Sequence, residues 1–170
     1  GAEGPVAVRQ AILGRGELGR PAQVEAETAR VLAAREVLAA LAELRRHAAF
    51  VEYRSLDVRA VAGFAALLAD VCRERGRLDG VVHAAGVRED KLIRDKTPES
   101  FARVFDTKVG AARAAIDAAA GGFVLFFASV SGQFGNPGQV DYAAANAVLD
   151  ALARRRAHGA RVVAVDWGPW

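Results

Sequence analysis

Residues 123–128 read Phe-Val-Leu-Phe-Phe-Ala, so every side chain in this short segment is apolar. A strand with one face in water alternates apolar and polar residues, whereas a strand covered by helices on both faces is apolar throughout. The segment therefore predicts the central strand of a parallel sheet. This element limits the architecture of the whole chain more than any other.

Short apolar segments alternate with long helical segments along the rest of the chain. The strand candidates are residues 11–13, 50–53, 80–83, 123–128 and 162–165, and the helix candidates are residues 21–46, 61–75, 98–120 and 140–157. Such alternation is typical of parallel strands joined by crossover helices. We predict one α/β domain over residues 1–170, with a Rossmann-like, doubly wound parallel sheet and helices on both faces.

The early glycines Gly14, Gly16 and Gly19 match the spacing G-x-G-x-x-G of a dinucleotide-binding turn. We do not assign them to that turn, because Arg20-Pro21 follows and opens a charged amphipathic helix. Leu13-Gly14-Arg15 is better interpreted as the end of a second strand, where an arginine suits the extra phosphate of NADP. We therefore expect the chain to be truncated at both ends and to begin after the first strand and its Gly-rich phosphate loop.

A serine, a tyrosine and an asparagine follow the predicted central strand. Ser129 ends the strand, a Gly/Pro-rich loop comes next, and Tyr142 and Asn146 stand four residues apart on the following helix. That spacing places them on one helix face, and ligands of open parallel sheets bind beyond the carboxyl ends of the strands. A serine after a strand is usually a cap and a tyrosine on a helix usually packs, but the joint spacing favours a functional site.

These residues resemble the ketoreductase signature of polyketide synthases, within the short-chain dehydrogenase/reductase superfamily. The resemblance rests on Ser129 followed by Tyr142-Ala-Ala-Ala-Asn146, and it extends to other motifs: His-Ala-Ala-Gly-Val at 83–87, Asp57-Val58, Phe-Asp-Thr-Lys-Val-Gly at 105–110, and Trp167-Gly168-Pro169. Residues 90–97 and 134–142 are most similar to ketoreductases of polyunsaturated-fatty-acid and enediyne-type iterative synthases. The matched motifs span nearly the whole chain.

The resemblance implies NADPH-dependent reduction of a 3-oxoacyl thioester carried by an acyl carrier protein. Tyr142 would donate the proton and Ser129 would bond the carbonyl oxygen, while Lys108 would stabilise charge on the Tyr142 oxygen and Asn146 would hold Lys108 or a relay water. With Arg15 from the strand interpretation, the expected cofactor-binding residues are Arg15, Asp57, Val58, Ala84, Ala85, Gly86, Lys108, Tyr142 and Pro169.

The use of lysine gives independent support for Lys108. The chain has 20 arginines but three lysines, Lys91, Lys96 and Lys108, so lysine is not its default cation. An ammonium is a compact point charge that can lie beside a phenol and also donate to a ribose hydroxyl. The widespread short-chain reductases have a lysine four residues after the tyrosine, where this chain has Asn146, and this departure disfavours a free-standing reductase.

Two alternatives remain open besides a catalytic ketoreductase. One is a non-catalytic, ketoreductase-like module that stabilises its neighbours in a multidomain synthase, and the other is a free-standing short-chain reductase for small substrates. In the synthase interpretations, the partners are the acyl carrier protein and other domains of the multidomain synthase. His83, at the buried end of a predicted strand, is interpreted as a core histidine rather than an acid or base.

Several other classes are disfavoured by composition. The net charge of +3 comes from arginines scattered among nearly as many acids, so we predict no nucleic-acid partner. The apolar segment at 123–128 is too short to cross a bilayer and no signal-like segment opens the chain, so we predict no membrane partner and a cytoplasmic location. The three histidines and one cysteine show no ligand spacing, which predicts no metal site.

Overall fold

The computed structural model describes residues 4–16, 20–155 and 159–168. The chain divides into two compact units, Gly1–Ser55 and Leu56–Trp170. The first unit contains helices α1 (Gly4–Gly14) and α2 (Pro21–His47). The single domain predicted over residues 1–170 stays a prediction.

The strand predicted at residues 11–13 is wrong, because these residues lie in α1. Val8 and Ile12, one helical turn apart, are buried and pack against Val24 of α2. A three-residue apolar run fits a strand or a helix, and here the i, i+4 partner on the same face selects the helix. Arg15 therefore follows a helix, and its cofactor role stays a prediction without the strand that motivated it.

The strand predicted at residues 50–53 is also wrong, since this described segment has neither helical nor strand assignment. A strand is held by hydrogen bonds to a neighbouring strand. The sheet of the described residues has only the three strands given below, and Phe50 and Tyr53 are 60% and 57% exposed. The apolar pattern at 50–53 therefore has no buried face that would fix it as a strand.

The second unit contains a three-stranded parallel sheet and its crossover helices. The strands lie side by side in the order β1, β2, β3, so each chain segment between strands crosses over through helices. In chain order the elements are α3 (Val61–Arg75), β1 (Gly80–His83), α4 (Pro98–Val109), α5 (Ala112–Ala118), β2 (Phe123–Ser129), α6 (Ser131–Phe134), α7 (Val140–Arg154) and β3 (Arg161–Trp167). Parallel strands with flanking helices confirm the Rossmann-like α/β class.

Strand β2 is central in the sheet, as its apolar sequence predicts. Its residues Val124, Phe126 and Ala128 are buried and pack against Ile116 of α5 and Leu149 of α7. Alanines of α5 let that helix approach the sheet closely, and burial of a side chain the size of Phe126 contributes about 1.5–3 kcal/mol to stability. The core thereby fixes α5 and α7 against the strand that ends at the site.

The helix predicted at 98–120 is two helices, since α4 ends at Val109 and α5 begins at Ala112. A Cβ at Gly110 would lie 2.8 Å from the backbone oxygen of Asp106, so a larger residue at this junction would force the backbone to shift. The start of α4 agrees with its sequence signals, since the Thr97 side chain accepts the backbone N–H of Ser100. Helix α7 ends at Arg154, and the end predicted at 157 lies outside the described residues.

The carboxyl ends of the three parallel strands meet at one edge of the sheet. Ser129 ends β2 and pairs in register with Trp167 at the end of β3, and residues 84–86 follow the end of β1. Ligands of open parallel sheets bind at this edge. None of the helices in the described part of the chain is long and apolar enough to cross a membrane.

Candidate active site

Three adjoining clefts form one crevice at the carboxyl edge of the sheet. A cleft of about 640 Å³ is lined by Asp57, Val58, Ala85 and Gly86. A smaller one of about 320 Å³ is lined by Ala84, Gly86, Lys108 and Tyr142. The third, of about 610 Å³, is lined by Ser129 and Tyr142. Shared lining residues join the clefts, so one elongated ligand can reach from Asp57 to Ser129.

Lys108, in the last turn of α4, lies beside Tyr142. Its side chain is buried, and its Nζ donates a 2.8 Å hydrogen bond to the backbone oxygen of Phe127 in β2. The same Nζ is 5.3 Å from the centre of the Tyr142 ring, which is cation–π range. Burial lowers the pKa of the Lys108 ammonium from its ordinary value. The structure thus holds a desolvated cation against the tyrosine.

Gly86 leaves the space in which Lys108 lies. A Cβ at Gly86 would come within 3.3 Å of Lys108 Cε and 3.6 Å of Nζ. A side chain at this position would therefore pack tightly against the end of the Lys108 side chain. This close approach gives a physical reason for glycine in the motif that follows β1.

Asn146 is fully buried one helical turn after Tyr142. Its Nδ2 donates to the backbone oxygen of Tyr142 at 2.8 Å, so this described bond goes to the tyrosine backbone rather than to Lys108. Its Oδ1 is buried and has no hydrogen-bond partner among the described residues. A buried acceptor without a partner costs about 1–3 kcal/mol. The expected role of Asn146 therefore stays a prediction, with Oδ1 as the atom that could carry it.

Ser131 orients Ser129, and the sequence reasoning missed it. The backbone N–H of Ser131 lies 3.3 Å and its hydroxyl 3.1 Å from Ser129 Oγ, and both donate to that oxygen. Because Ser129 Oγ accepts these bonds, its own proton is directed to another acceptor, such as a carbonyl oxygen in the crevice. The only sequence signal is a second serine two residues after the first, at the start of α6.

Gly132 brings α6 directly against the helix that carries Asn146. A Cβ at Gly132 would lie 2.9 Å from the backbone nitrogen of Ala147 and 3.0 Å from Asn146 Cβ. The backbone of α7 cannot yield cheaply at that point, so Gly132 sets the spacing between the segment after Ser129 and α7.

His83 contacts the backbone of Lys108. The imidazole is 5% exposed, and its Nε2 lies 2.8 Å from the backbone oxygen of Lys108. A protonated Nε2 donates a hydrogen bond to that oxygen. Burial lowers the pKa of His83, against the smaller effect of this hydrogen bond, which raises it. The structure therefore agrees with the interpretation of His83 as a core residue whose neutral ring carries the hydrogen bond.

The low pKa of His83 predicts a loss of stability in acid. The unfolded chain takes up this proton at a higher pH than the folded protein, so the contribution to the free energy of unfolding is complete above the ordinary pKa of 6.5 and declines as the pH falls below it. His83→Gln keeps an N–H donor but cannot titrate. Urea unfolding across this pH range should show a smaller decline for the variant.

The matched control for that measurement is His47→Gln, at an exposed position at the end of α2. It should retain the decline of the wild-type protein. An equal loss of pH dependence in both variants, or an unchanged decline in His83→Gln, would show that His83 is not the titrating group.

Asp57 faces the first cleft as an ionised carboxylate. Arg59 binds it through its side chain at 2.6 Å and through its backbone N–H at 3.0 Å. The side-chain hydrogen bond of Arg59 is the main cause that lowers the pKa of Asp57 to about 2. The Asp57 carboxylate is therefore ionised at neutral pH.

The structure brings most predicted site residues together in the second unit. Those that line the crevice are Asp57, Val58, Ala84, Ala85, Gly86, Lys108, Ser129 and Tyr142, and Asn146 lies buried behind Tyr142. Arg15 belongs to the first unit, and Pro169 lies outside the described residues. Across residues 4–16, 20–155 and 159–168, no group of His, Cys, Asp and Glu side chains could hold a metal ion.

Comparison with known proteins identifies related chains. The family model described as the KR domain matches residues 14–170. A phenolphthiocerol/phthiocerol polyketide synthase subunit of Mycobacterium tuberculosis is 40% identical over 75% of this chain, and a polyunsaturated fatty acid synthase subunit of Thraustochytrium sp. is 33% identical over 92%. The chain spans only 8% and 6% of the lengths of these relatives.

Solved structures show the same similarity. The ketoreductase PlmKR1 from the first module of phoslactomycin biosynthesis in Streptomyces sp. HK803 superposes with a TM-score of 0.68 and 39% identity, covering 76% of this chain and 31% of that one. The first ketoreductase of the tylosin polyketide synthase superposes with a TM-score of 0.66 and 40% identity, covering 76% and 29%.

Proposed function

The chain belongs to the KR domain family, and from that premise we propose that it reduces the ketone of a 3-oxoacyl thioester to the 3-hydroxyacyl thioester with NADPH. The observation that carries the proposal is the convergence of Lys108, Ser129 and Tyr142 on one crevice. The names of the related polyketide and polyunsaturated fatty acid synthases support an acyl chain under assembly as the substrate.

The crevice suits a nicotinamide dinucleotide. Gly86 has no side chain that would narrow the crevice beside Lys108. The adjoining clefts give an elongated space that extends from Asp57 and Val58 to Tyr142. Asp57, Val58, Ala84, Ala85, Gly86 and Lys108 would hold the cofactor, with Arg15 and Pro169 as the two further residues expected from the sequence. When bound, NADPH would supply the hydride that reduces the substrate carbon.

The protein residues then stabilise and neutralise the negative charge that develops on the substrate oxygen. Tyr142 donates its hydroxyl proton to that oxygen, and Ser129 donates a hydrogen bond to it. Lys108, desolvated beside the tyrosine, stabilises the negative charge left on the Tyr142 oxygen. The buried Oδ1 of Asn146 would accept a hydrogen bond from Lys108 or from a relay water that returns the proton to Tyr142.

We place this activity in the cytoplasm, within a multidomain synthase. The acyl carrier protein would present the thioester at the third cleft, which opens around Ser129 and the exposed ring of Phe134. The neighbouring synthase domains are the other proposed partners. The small share of each relative that the chain spans supports such a multidomain setting.

The test is a reduction assay with the full-length protein. A 3-oxoacyl thioester of N-acetylcysteamine should be converted to its 3-hydroxy product with NADPH and far more slowly with NADH, as followed by cofactor absorbance and mass spectrometry. Equal rates with both cofactors would overturn the NADPH assignment. Failure to reduce this thioester or the carrier-bound one would overturn the activity and favour the non-catalytic module, whereas turnover of small ketones alone would favour a free-standing reductase.

A further inference from the structure

A buried ion pair lies at the start of the helix that carries Tyr142. Lys96 Nζ is 2.7 Å from Asp141 Oδ2, and the two side chains are 4% and 1% exposed. Other ion pairs, such as Arg59 with Asp57, are largely exposed. Taking two charges out of water is expensive, and an apolar pair of similar volume often stabilises a fold equally well. Stability alone therefore gives little reason for an ion pair at this place.

The pair links the segment between β1 and α4 (residues 84–97, called the loop after β1), which contains a short 3-10 helix at Ile93–Asp95, to the residue that we propose as the proton donor. Lys96 Nζ also donates to the backbone oxygen of Glu89. On the other side, Asp141 Oδ1 accepts the backbone N–H of Tyr142 at 2.9 Å. Glu89, Lys96, Asp141 and Tyr142 thus form one continuous polar chain from the loop to the first turn of α7.

The same loop is bound to the helix that carries Lys108. The Glu89 carboxylate accepts bonds from Arg103 at 2.7 Å and from the Ser100 hydroxyl at 2.8 Å, both on α4. The loop is therefore bound to α4 through the Glu89 carboxylate and to α7 through Lys96. The distance between Lys108 and Tyr142 depends on how these two helices are placed.

From this arrangement we propose that Lys96 and Asp141 are positioning residues for Tyr142. Resting on the proposed ketone reduction, the inference assigns them no contact with substrate. Their ion pair fixes the first turn of α7 so that the Tyr142 side chain stays beside Lys108 and in one cleft with Ser129. A buried ion pair suits this task because it is strongly directional and has few alternative partners in a desolvated place.

Two further hydrogen bonds at the same place allow the pair to be removed without unfolding the site. The Lys91 N–H donates to the Gly138 oxygen at 2.9 Å, and Gln139 Nε2 donates to Asp90 Oδ2 at 3.0 Å. Both bonds join the segments that the ion pair joins. A variant in which both charges are replaced by side chains of similar size should therefore keep these segments together.

The test compares Lys96→Met, Asp141→Asn and the double variant in the full-length protein. The amide introduced by Asp141→Asn retains an oxygen for the Tyr142 N–H, and the double variant leaves no unpaired buried charge. We expect kcat for thioester reduction to fall about tenfold in each single variant, with the dissociation constant for NADPH unchanged within about twofold. Because Lys96 acts through Asp141, adding Lys96→Met to Asp141→Asn should lower kcat little further.

Arg113→Met with Asp117→Asn is the matched control, since it removes an exposed ion pair on α5 away from the crevice. This control should leave kcat unchanged. Fully additive losses in kcat for the two buried residues would overturn the proposal. So would a loss of NADPH affinity in proportion to the loss of kcat, since that indicates general damage to the fold.

Hydrogen exchange separates this proposal from the proposed function. Amides in the first turn of α7, including that of Tyr142, should exchange faster in the double variant, while amides of the core strand β2 should not change. Unchanged exchange in α7 would overturn the positioning role. If the wild-type protein reduces no thioester, the proposed function fails, and the exchange rates still decide whether the ion pair fixes α7.

Discussion

Tyr142→Phe should lower kcat for thioester reduction by about 10²–10⁴-fold, because it removes the hydroxyl that donates the proton. The phenylalanine ring can keep its place beside Lys108, since the 5.3 Å contact is to the ring and not to the hydroxyl. Asn146 would also keep its bond, which goes to the backbone oxygen at position 142. NADPH affinity and the thermal midpoint should therefore change little, and the effect should lie in kcat.

The chain offers a matched control, because its second tyrosine, Tyr53, lies in the first unit and is 57% exposed. Tyr53→Phe makes the same chemical change and should leave kcat unchanged. Steady-state rates, NADPH fluorescence titration and thermal melts are needed for both variants. If Tyr142→Phe kept more than about a tenth of wild-type kcat, the proton would have another donor and the mechanism would be wrong.

Three of the five strands predicted from the sequence are confirmed, and each of the three has a local signal. The fully apolar segment at 123–128 predicts β2, and the short apolar segments at 80–83 and 162–165 predict β1 and β3, which the structure confirms within two residues at their ends. Helix signals were also local, since Thr97 caps α4 where its position before Pro98 predicts it. Segments whose own residue pattern specifies their burial or their ends are predictable in this way.

The two strands that failed depend on information that a short window lacks. Residues 11–13 are helical because Ile12 pairs with Val8 and with Val24 of the next helix, and residues 50–53 have no described strand beside them. Both segments are rich in apolar residues, as a strand would be. The conformation depends on the residues that each segment packs against: Val8 and Val24 for Ile12, and no neighbouring strand among the described residues for 50–53.

The site shows the same division. Ser129 and Tyr142 could be placed from their spacing after the predicted central strand, and Lys108 from the resemblance of residues 105–110 to the ketoreductase motif; the structure brings all three to one crevice. The pair of Lys96 with Asp141 could not be placed, since these residues are 45 positions apart and neither belongs to a motif with a stated role. Such a contact exists only once the loop after β1 is folded against α7.

Lys108→Met should weaken NADPH binding by about 10- to 100-fold, because it removes a charged donor beside the cofactor. It should also lower kcat/KM for the thioester by at least about 10²-fold, because the charge on the Tyr142 oxygen loses its stabilising cation. The fold should tolerate the change. Methionine fills the apolar part of the buried lysine site, and the lowered pKa of Lys108 indicates that its charge is held there against the cost of burial.

The pH dependence of binding distinguishes this role from simple packing. Because burial lowers the pKa of Lys108 below 10.5, the ammonium loses its proton at a lower pH than an exposed lysine would. Wild-type affinity for NADPH should therefore decline on the alkaline side before pH 10.5 is reached, and Lys108→Met should lack that decline. Lys91→Met, at an exposed position, is the control and should keep it. An alkaline decline that persists in Lys108→Met would assign the titration to another group and remove Lys108 as the donor to the cofactor.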